Sequence, residues 1–569
     1  MSPELPLEQF ILEPDTVDYL VRINSALLAT MLEEKPNMRL GAQLTGGYTI
    51  VYGKESGIQS LYQEFGVLAA SASSSVLGLL DLHSLESAGI PPVQNAPFLD
   101  LRGQGVLVGF VDTGIDYTNP SFLYEDGRSK IQYLWDQSTA GNAPDDFAFG
   151  SEYKKAQIDE ALYSNDPLAI VPQQDTVGHG TFLASVAAGR QTAQNIGAAP
   201  DAELIVVKLV RAKPYYYDNY LIPPAQENAY TSNSVAQGIE YISRRAQALG
   251  RPVAICLGVG TNLGGHDGFS QFEEYINTIS SQRGFCICAS AGNESQSRHH
   301  AQGILSRTDE SSDVDIRVGE RGGDIYLSIW NNESDRVSVS LRSPTGERIR
   351  QIPAKPGALY QTGLVFERSL ITVQYLFPIE RSGAQLTIVK IRNATPGIWT
   401  VTLLGDIVLN GTYNMWLPIT GFIQPGIEFL VPSPNCTIVV PATTIGTITS
   451  GAYNSLNNGL YISSSWGPTR LPMMSPDLVA PGVNVGGEYP GGFGTMTGTS
   501  VAAAITTGAA ALMLQWGIVN QNDVSLDTYR IKSFFIRGCI RSPGVTYPNV
   551  QWGYGRLNLF NTLNLMRET

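Results

Sequence analysis

Apolar and polar positions follow two different rhythms along this chain, and the change of rhythm divides it. Residues 105–111 form an unbroken apolar run, as expected of a strand covered on both faces. Beyond it, apolar runs alternate with segments of helical period. Residues 182–189 read as a helix, 204–210 as a strand, 235–249 as a helix and 253–257 as a strand. Residues 272–283 and 285–290 repeat the helix–strand pair. Such alternation predicts a parallel sheet wrapped by helices. Residues 310–425 break the rhythm with short period-two runs at 324–330, 337–341, 385–389 and 398–404. Turn residues such as Pro344-Thr345-Gly346 and Asn410-Gly411 separate them. That is the signature of an all-β sandwich. The α/β pattern resumes near Cys436.

The first part of the chain is smaller in scale. Residues 8–35 read as helical from the spacing of Leu20, Val21, Ile23, Leu27 and Leu28, and 48–53 as a strand ending at a turn. Residues 56–65 read as a second short helix, and the small-residue run 69–75 is expected to be flexible and easily cleaved. The expected fold class is therefore α/β with two additions, an N-terminal α+β unit and an inserted all-β domain. The boundaries fall at 1–85, 86–309, 310–430 and 431–569.

Composition narrows the function classes. With 569 residues, 43% hydrophobic and only 15% charged, the chain can build large packed cores. A formal charge of -14 argues against a nucleic-acid partner. Five cysteines are too few, and odd in number, for a disulfide scaffold, so a reducing compartment fits better. Cys286 and Cys288 alternate along an expected strand and read as small core residues rather than a metal or redox site. The first residues show no basic region followed by an apolar core, so no signal peptide and an intracellular location are expected. No apolar run reaches the about 18 residues of a membrane span.

Three short segments carry the chemistry. Asp112, in Val111-Asp112-Thr113-Gly114, ends the buried strand at the edge where open parallel sheets build their sites. His179 stands between two glycines at the start of a small-residue helix. Ser500, in Gly498-Thr499-Ser500-Val501-Ala502, opens a helix that is apolar nearly all round. Its free backbone N–H groups favour a developing oxyanion. A carboxylate, an imidazole and a hydroxyl are what nucleophilic acyl transfer requires. Asp112-Thr113-Gly114 also matches the aspartic-protease triplet, but that chemistry needs a second carboxylate and no second triplet occurs. Asn293, after the run 285–290, can donate its amide to a tetrahedral oxyanion; losing such a donor costs about 100- to 1000-fold in turnover.

In this order the segments resemble those of the subtilases, the subtilisin-like serine proteases. The resemblance spans roughly residues 88–300 and 430–565. It implies a triad of Asp112, His179 and Ser500 and an oxyanion hole that includes Asn293. It further implies that Leu257 and Gly258 pair with the substrate backbone and that Ser290, Ala291 and Gly292 wall the pocket for the residue before the cut. No metal and no cofactor are implied. The N-terminal unit resembles a subtilase prodomain, cut between about Ala69 and Ser87 and retained as chaperone and inhibitor. Within the family the chain looks most like the Csp germination proteases of clostridial spores, which carry a jelly-roll insertion before the serine segment. That implies a spore-associated enzyme whose protein substrate is the zymogen of a cortex-lytic hydrolase. Two other readings stay open: a catalytically silent subtilase fold acting as sensor or scaffold, and a general intracellular protease. The chain departs from the family at Ala504 and Ile505, where proline and histidine are usual, and at Phe182, where histidine is common. The segment 211–230, rich in tyrosine and proline, is expected either to face solvent or to form a cleft rim. The insert is expected to rigidify the core or shape access to it.

Overall fold

The computed structural model describes residues 6–23, 25–32, 35, 37–54, 74–79, 86–95 and 99–567. Its centre is an eight-stranded sheet with the order Leu478–Pro481, Ile448–Tyr453, Phe285–Ser290, Val253–Leu257, Leu107–Asp112, Glu203–Lys208, Ile131–Asp136, Ser151–Lys154. Every pairing is parallel except the last. Leu107–Asp112 is buried at all six positions, which is why its sequence lacks alternation. The helices His179–Ala188 and Thr499–Leu514 cover one face of the sheet. The helices Ser232–Leu249 and Gln271–Ser280 cover the other. Strand order reverses between Leu107–Asp112 and Val253–Leu257, so a crevice opens at their carboxyl ends. The helix continuing from Thr499 to Val519 is long and apolar enough to span a bilayer, but 89% of that window is buried in the core. All five cysteines are free and buried, in keeping with the core role expected of Cys286 and Cys288.

The inserted segment forms two antiparallel sheets of six and five strands that share one core around Trp399, Tyr375 and Val389. It begins earlier than the alternation suggested, with His300–Ile304 as its first strand and Glu428–Phe429 as its last. The strand Gly397–Ile407 alternates between buried and less buried positions for much of its length, as one face lies inward.

The N-terminal unit departs from its expected form. Residues 8–35 are not one helical stretch: a helix Leu7–Leu12 ends before Pro14, a strand Thr16–Val21 follows, and a second helix spans Ser25–Leu32. Pro14 disfavours helix at the residue before it, and β-branched Thr16 and Val17 then suit a pleated chain. The strand pairs with Tyr48–Lys54, which pairs in turn with Met38–Leu44. The helix expected at 56–65 lies outside the described residues. This sheet rests on the two helices Ser232–Leu249 and Gln271–Ser280. Thr45 donates its backbone N–H to Glu240 at 3.1 Å, and the ring of Tyr48 meets that of Tyr275 edge-on at 5.8 Å.

Where the insert joins the core, the Trp416 indole is sandwiched between His266 at 4.1 Å and His300 at 4.8 Å. Burial pushes both imidazoles down to about 4, against the pull of the oxygens that face them. Their folded values lie below the free value, so the unfolded chain binds more protons between about pH 6.5 and pH 4. Stability is therefore full above that window and is lost as pH falls through it. Thermal melts from pH 7 to pH 4 are expected to fall steadily. A flat profile would mean that the stack takes up no protons on unfolding.

Candidate active site

Asp112 ends its strand at the crevice, and His179 opens the helix that runs beneath it. His179 Nδ1 lies 2.7 Å from Asp112 Oδ1, with both side chains buried. The carboxylate is steadied by the Thr113 N–H, which donates to the same oxygen at 2.8 Å. An imidazole held this way presents its other nitrogen outward in one tautomer. The glycine after the histidine is required by space. A Cβ at Gly180 would stand 2.2 Å from the carbonyl oxygen of Gly114. The turn before it is held by Asp175, which accepts from the N–H of Gly178 at 2.8 Å and of Thr181 at 2.9 Å. Asp175 was not singled out from sequence, although a carboxylate ahead of a helix start is a cap signal.

Ser500 sits in the first turn of the helix Thr499–Leu514, all sixteen residues of which are buried. Its hydroxyl has no hydrogen-bond partner among the described residues, so no bond to His179 is formed. An orphaned hydroxyl in so dry a place costs about 1–3 kcal/mol, and such groups persist chiefly where they serve chemistry. Asn293 lies against the same helix end: its Oδ1 accepts from the N–H and the hydroxyl of Thr499, each at 3.2 Å. That fixes which end of the amide is occupied and leaves the NH2 group to donate elsewhere. Gly292 donates to Thr499 Oγ1 at 3.1 Å, and the Ala291 N–H to Ser450 O at 3.0 Å. Ser290, Ala291 and Gly292 are buried, and Val439 and Ser465 stand within 3 Å of a Cβ built on Gly292. Gly258 borders the Asp–His pair: a Cβ there would lie 3.0 Å from His179 Cε1 and 3.2 Å from Asp112 Oδ2.

The departure at Phe182 is absorbed by packing. Its ring stacks with Tyr489 at 5.0 Å, and Gly487 leaves it room. Among the described residues, no group of three or more His, Cys, Asp or Glu side chains could hold a metal ion.

The crevice is occupied by the chain itself. Residues Val76–Leu79 form a strand between two edges, pairing antiparallel with Val259–Gly260 on one side and with Tyr230–Thr231 on the other. The residues that pair with this strand follow directly on Leu257 and Gly258, and Leu257 itself pairs with Ala289 in the central sheet. The segment 211–230 turns out to be a rim with contacts on three sides. Its helix Pro214–Tyr220 bonds the N-terminal unit through Tyr216 and Asp18. Tyr220 donates to Ser74 O at 2.8 Å, and Lys390 of the insert donates to Asn219 Oδ1 at 2.8 Å. No periodicity in the sequence signals these partners.

A doubly wound sheet with a His–Asp pair and an unpartnered serine at its switch point defines the subtilisin-like α/β class. The subtilase family model matches residues 103–320 and 432–542, and the chain belongs to that family. Among solved structures it resembles the Clostridium perfringens CspB protease, at 32% identity and a TM-score of 0.76, over 85% of this chain and 99% of that one. It is 24% identical to the Arabidopsis thaliana subtilisin-like protease SBT2.2 over 73% of this chain and 55% of the relative. It is 23% identical to SBT1.9 of the same plant over 75% and 59%. The chain spans little more than half the length of these curated relatives.

Proposed function

We propose that this chain is a serine endopeptidase acting by limited proteolysis. Ser500 attacks the scissile carbonyl, His179 takes its proton and returns it to the leaving amine, and Asp112 holds the imidazole in place. The Asn293 amide and the Ser500 N–H receive the oxyanion. The observation that carries this reading is the buried His179–Asp112 bond of 2.7 Å together with a buried serine, on the helix packed against that of His179, whose hydroxyl has no partner among the described residues. The serine–histidine bond is to form on substrate, as resting sites often tighten only then.

The first substrate is the chain itself. The strand Val76–Leu79 lies in the groove as an extended peptide added to two edges, the arrangement by which such grooves hold substrates. Residues 1–85 then act as a prodomain that templates the two helices beneath it and stays bound after the cut. The helical turn Glu86–Ala88, which packs near Leu478–Pro481, lies beyond the groove. The cut therefore falls between Leu79 and Glu86, inside the wider range set by sequence. The similarity to the CspB protease over nearly its whole length supports placing this enzyme with the germination proteases, spore-associated, with a cortex-hydrolase zymogen as its partner.

Purified protein is expected to yield two fragments that co-elute. Mass spectrometry should place the new terminus between residues 79 and 86. A single full-length species, or a cut outside that window, would overturn the reading.

A further inference from the structure

The helix Ser232–Leu249 begins beneath the groove, and its first turn is only partly capped by its own chain. Three N–H groups open the helix, and each has a partner. Ser234 donates to the Thr231 hydroxyl at 3.2 Å, an ordinary cap. The other two are met across the groove: Ser232 donates to the carbonyl of Ser75 at 2.7 Å, and Asn233 to the hydroxyl of Ser74 at 3.1 Å. The Ser74 hydroxyl also lies 3.2 Å from the Ser232 hydroxyl, which accepts the Ser75 N–H at 3.0 Å. Either hydroxyl can give its proton to the other. Tyr220 completes the enclosure by donating to the Ser74 carbonyl. Ser74 is 1% exposed and Asn233 also 1%.

We propose that Tyr220, Ser232 and Asn233 form an extended recognition subsite for a serine or threonine lying six or more residues before the cut. This rests on the protease reading above, which fixes the direction of the substrate and the place of the bond. Ser74 is a guest of the catalytic domain, because the cut severs it from the helix it caps. When an incoming substrate displaces the retained segment, two N–H groups in a dry rim lose the partners it gave them. Any incoming backbone carbonyl restores the Ser232 bond, but the Asn233 N–H is met only by a short side chain with an acceptor oxygen at that offset. Alanine or valine there leaves the Asn233 N–H buried and unmet, at the cost of a lost hydrogen bond plus desolvation. The subsite therefore selects against apolar residues more than it rewards any particular contact. It also accounts for the hydrogen bonds that hold Ser74 and Ser75 in place.

The test is the rate of self-cleavage, followed by electrophoresis from the start of refolding. S74A and S74V should each cleave about tenfold more slowly than the parent, the factor expected for one or two buried donors left unmet. S74T should cleave within about threefold of the parent. S232A should slow cleavage to a similar degree, and S74A added to S232A should change little further, since both remove one network. Melting of the same substitutions in an S500A background reads any purely structural cost. A synthetic peptide of residues 71–86 offered to the processed protein should show the same preference in kcat/KM, serine and threonine above alanine. Equal rates for S74V and the parent, full additivity of S74A and S232A, or lowered melting with unchanged cleavage would each overturn the subsite. Absence of fragments in the parent lane would instead reject the protease reading, and the subsite with it.

Discussion

Ser500→Ala is expected to leave the chain at full length indefinitely, while the parent preparation resolves into a large fragment and its N-terminal unit. Losing the nucleophile of a serine triad removes about 10⁶-fold of turnover, because the remaining groups have nothing to activate. Asp112→Asn should fall short of that by one or two orders of magnitude. The amide can still hold the ring, but it favours the wrong tautomer and does not stabilise the imidazolium, a loss of about 10⁴-fold. Neither change should lower the melting temperature much. Ser500 Oγ bonds to none of the described residues, so alanine forfeits no partner among them and relieves a buried orphan. Slight stabilisation by Ser500→Ala would be informative in itself, as a group kept at a cost to stability. The graded pair separates this chain from a silent subtilase fold, for which neither variant would differ from the parent. It also excludes a contaminating protease, which would cut all three alike. Densitometry over days resolves a 10⁴-fold effect if the parent matures within minutes.

How much of this was legible beforehand depended on where each interaction lies in sequence. The central sheet could be read because fully buried parallel strands leave unbroken apolar runs, as at Leu107–Asp112 and Phe285–Ser290. The candidate site residues could be picked out because each has a glycine beside it or close by, and at Gly180, after His179, close packing demands one. The N-terminal unit was misjudged at Thr16–Val21. Leu20, Val21 and Ile23 fit a helical spacing as well as a strand, and only pairing with Tyr48–Lys54 decides between them. The groove contacts left no trace. Tyr220 and Ser74 lie 146 residues apart and meet through a hydroxyl and a carbonyl, groups that carry no pattern. The junction of insert and core was hidden for the same reason. His266 and His300 looked unremarkable because their partner, Trp416, comes more than a hundred residues later.

Arg470→Met is expected to destabilise the whole catalytic unit by about 3–5 kcal/mol, the range for breaking a buried ion pair from one side. The guanidinium pairs with Asp267 and donates through Nε to Gly265 O at 2.7 Å, with the two charged side chains 3% and 4% exposed. It also lies over the ring of Trp330 in the insert, 5.2 Å from its centroid. Methionine fills much of the space but leaves the Asp267 carboxylate in a dry seam, where it still accepts the Phe269 N–H at 3.1 Å. Arg470→Lys should fall between, since an ammonium keeps the charge but loses the fork that reaches both oxygens. Asp267→Asn together with Arg470→Met should recover part of the loss, because no charge is then left alone. The arginine touches both bodies, so the insert and the sheet should lose stability together and melt in one transition. Calorimetry of Arg470→Met with two separated transitions, the core holding its parental temperature, would show that the insert merely hangs from the enzyme. One transition at a lower temperature, with slower self-cleavage, would instead make the insert a brace for the segment of Gly265 and His266, which follows closely on the edge Val259–Gly260 that pairs with Val76–Leu79.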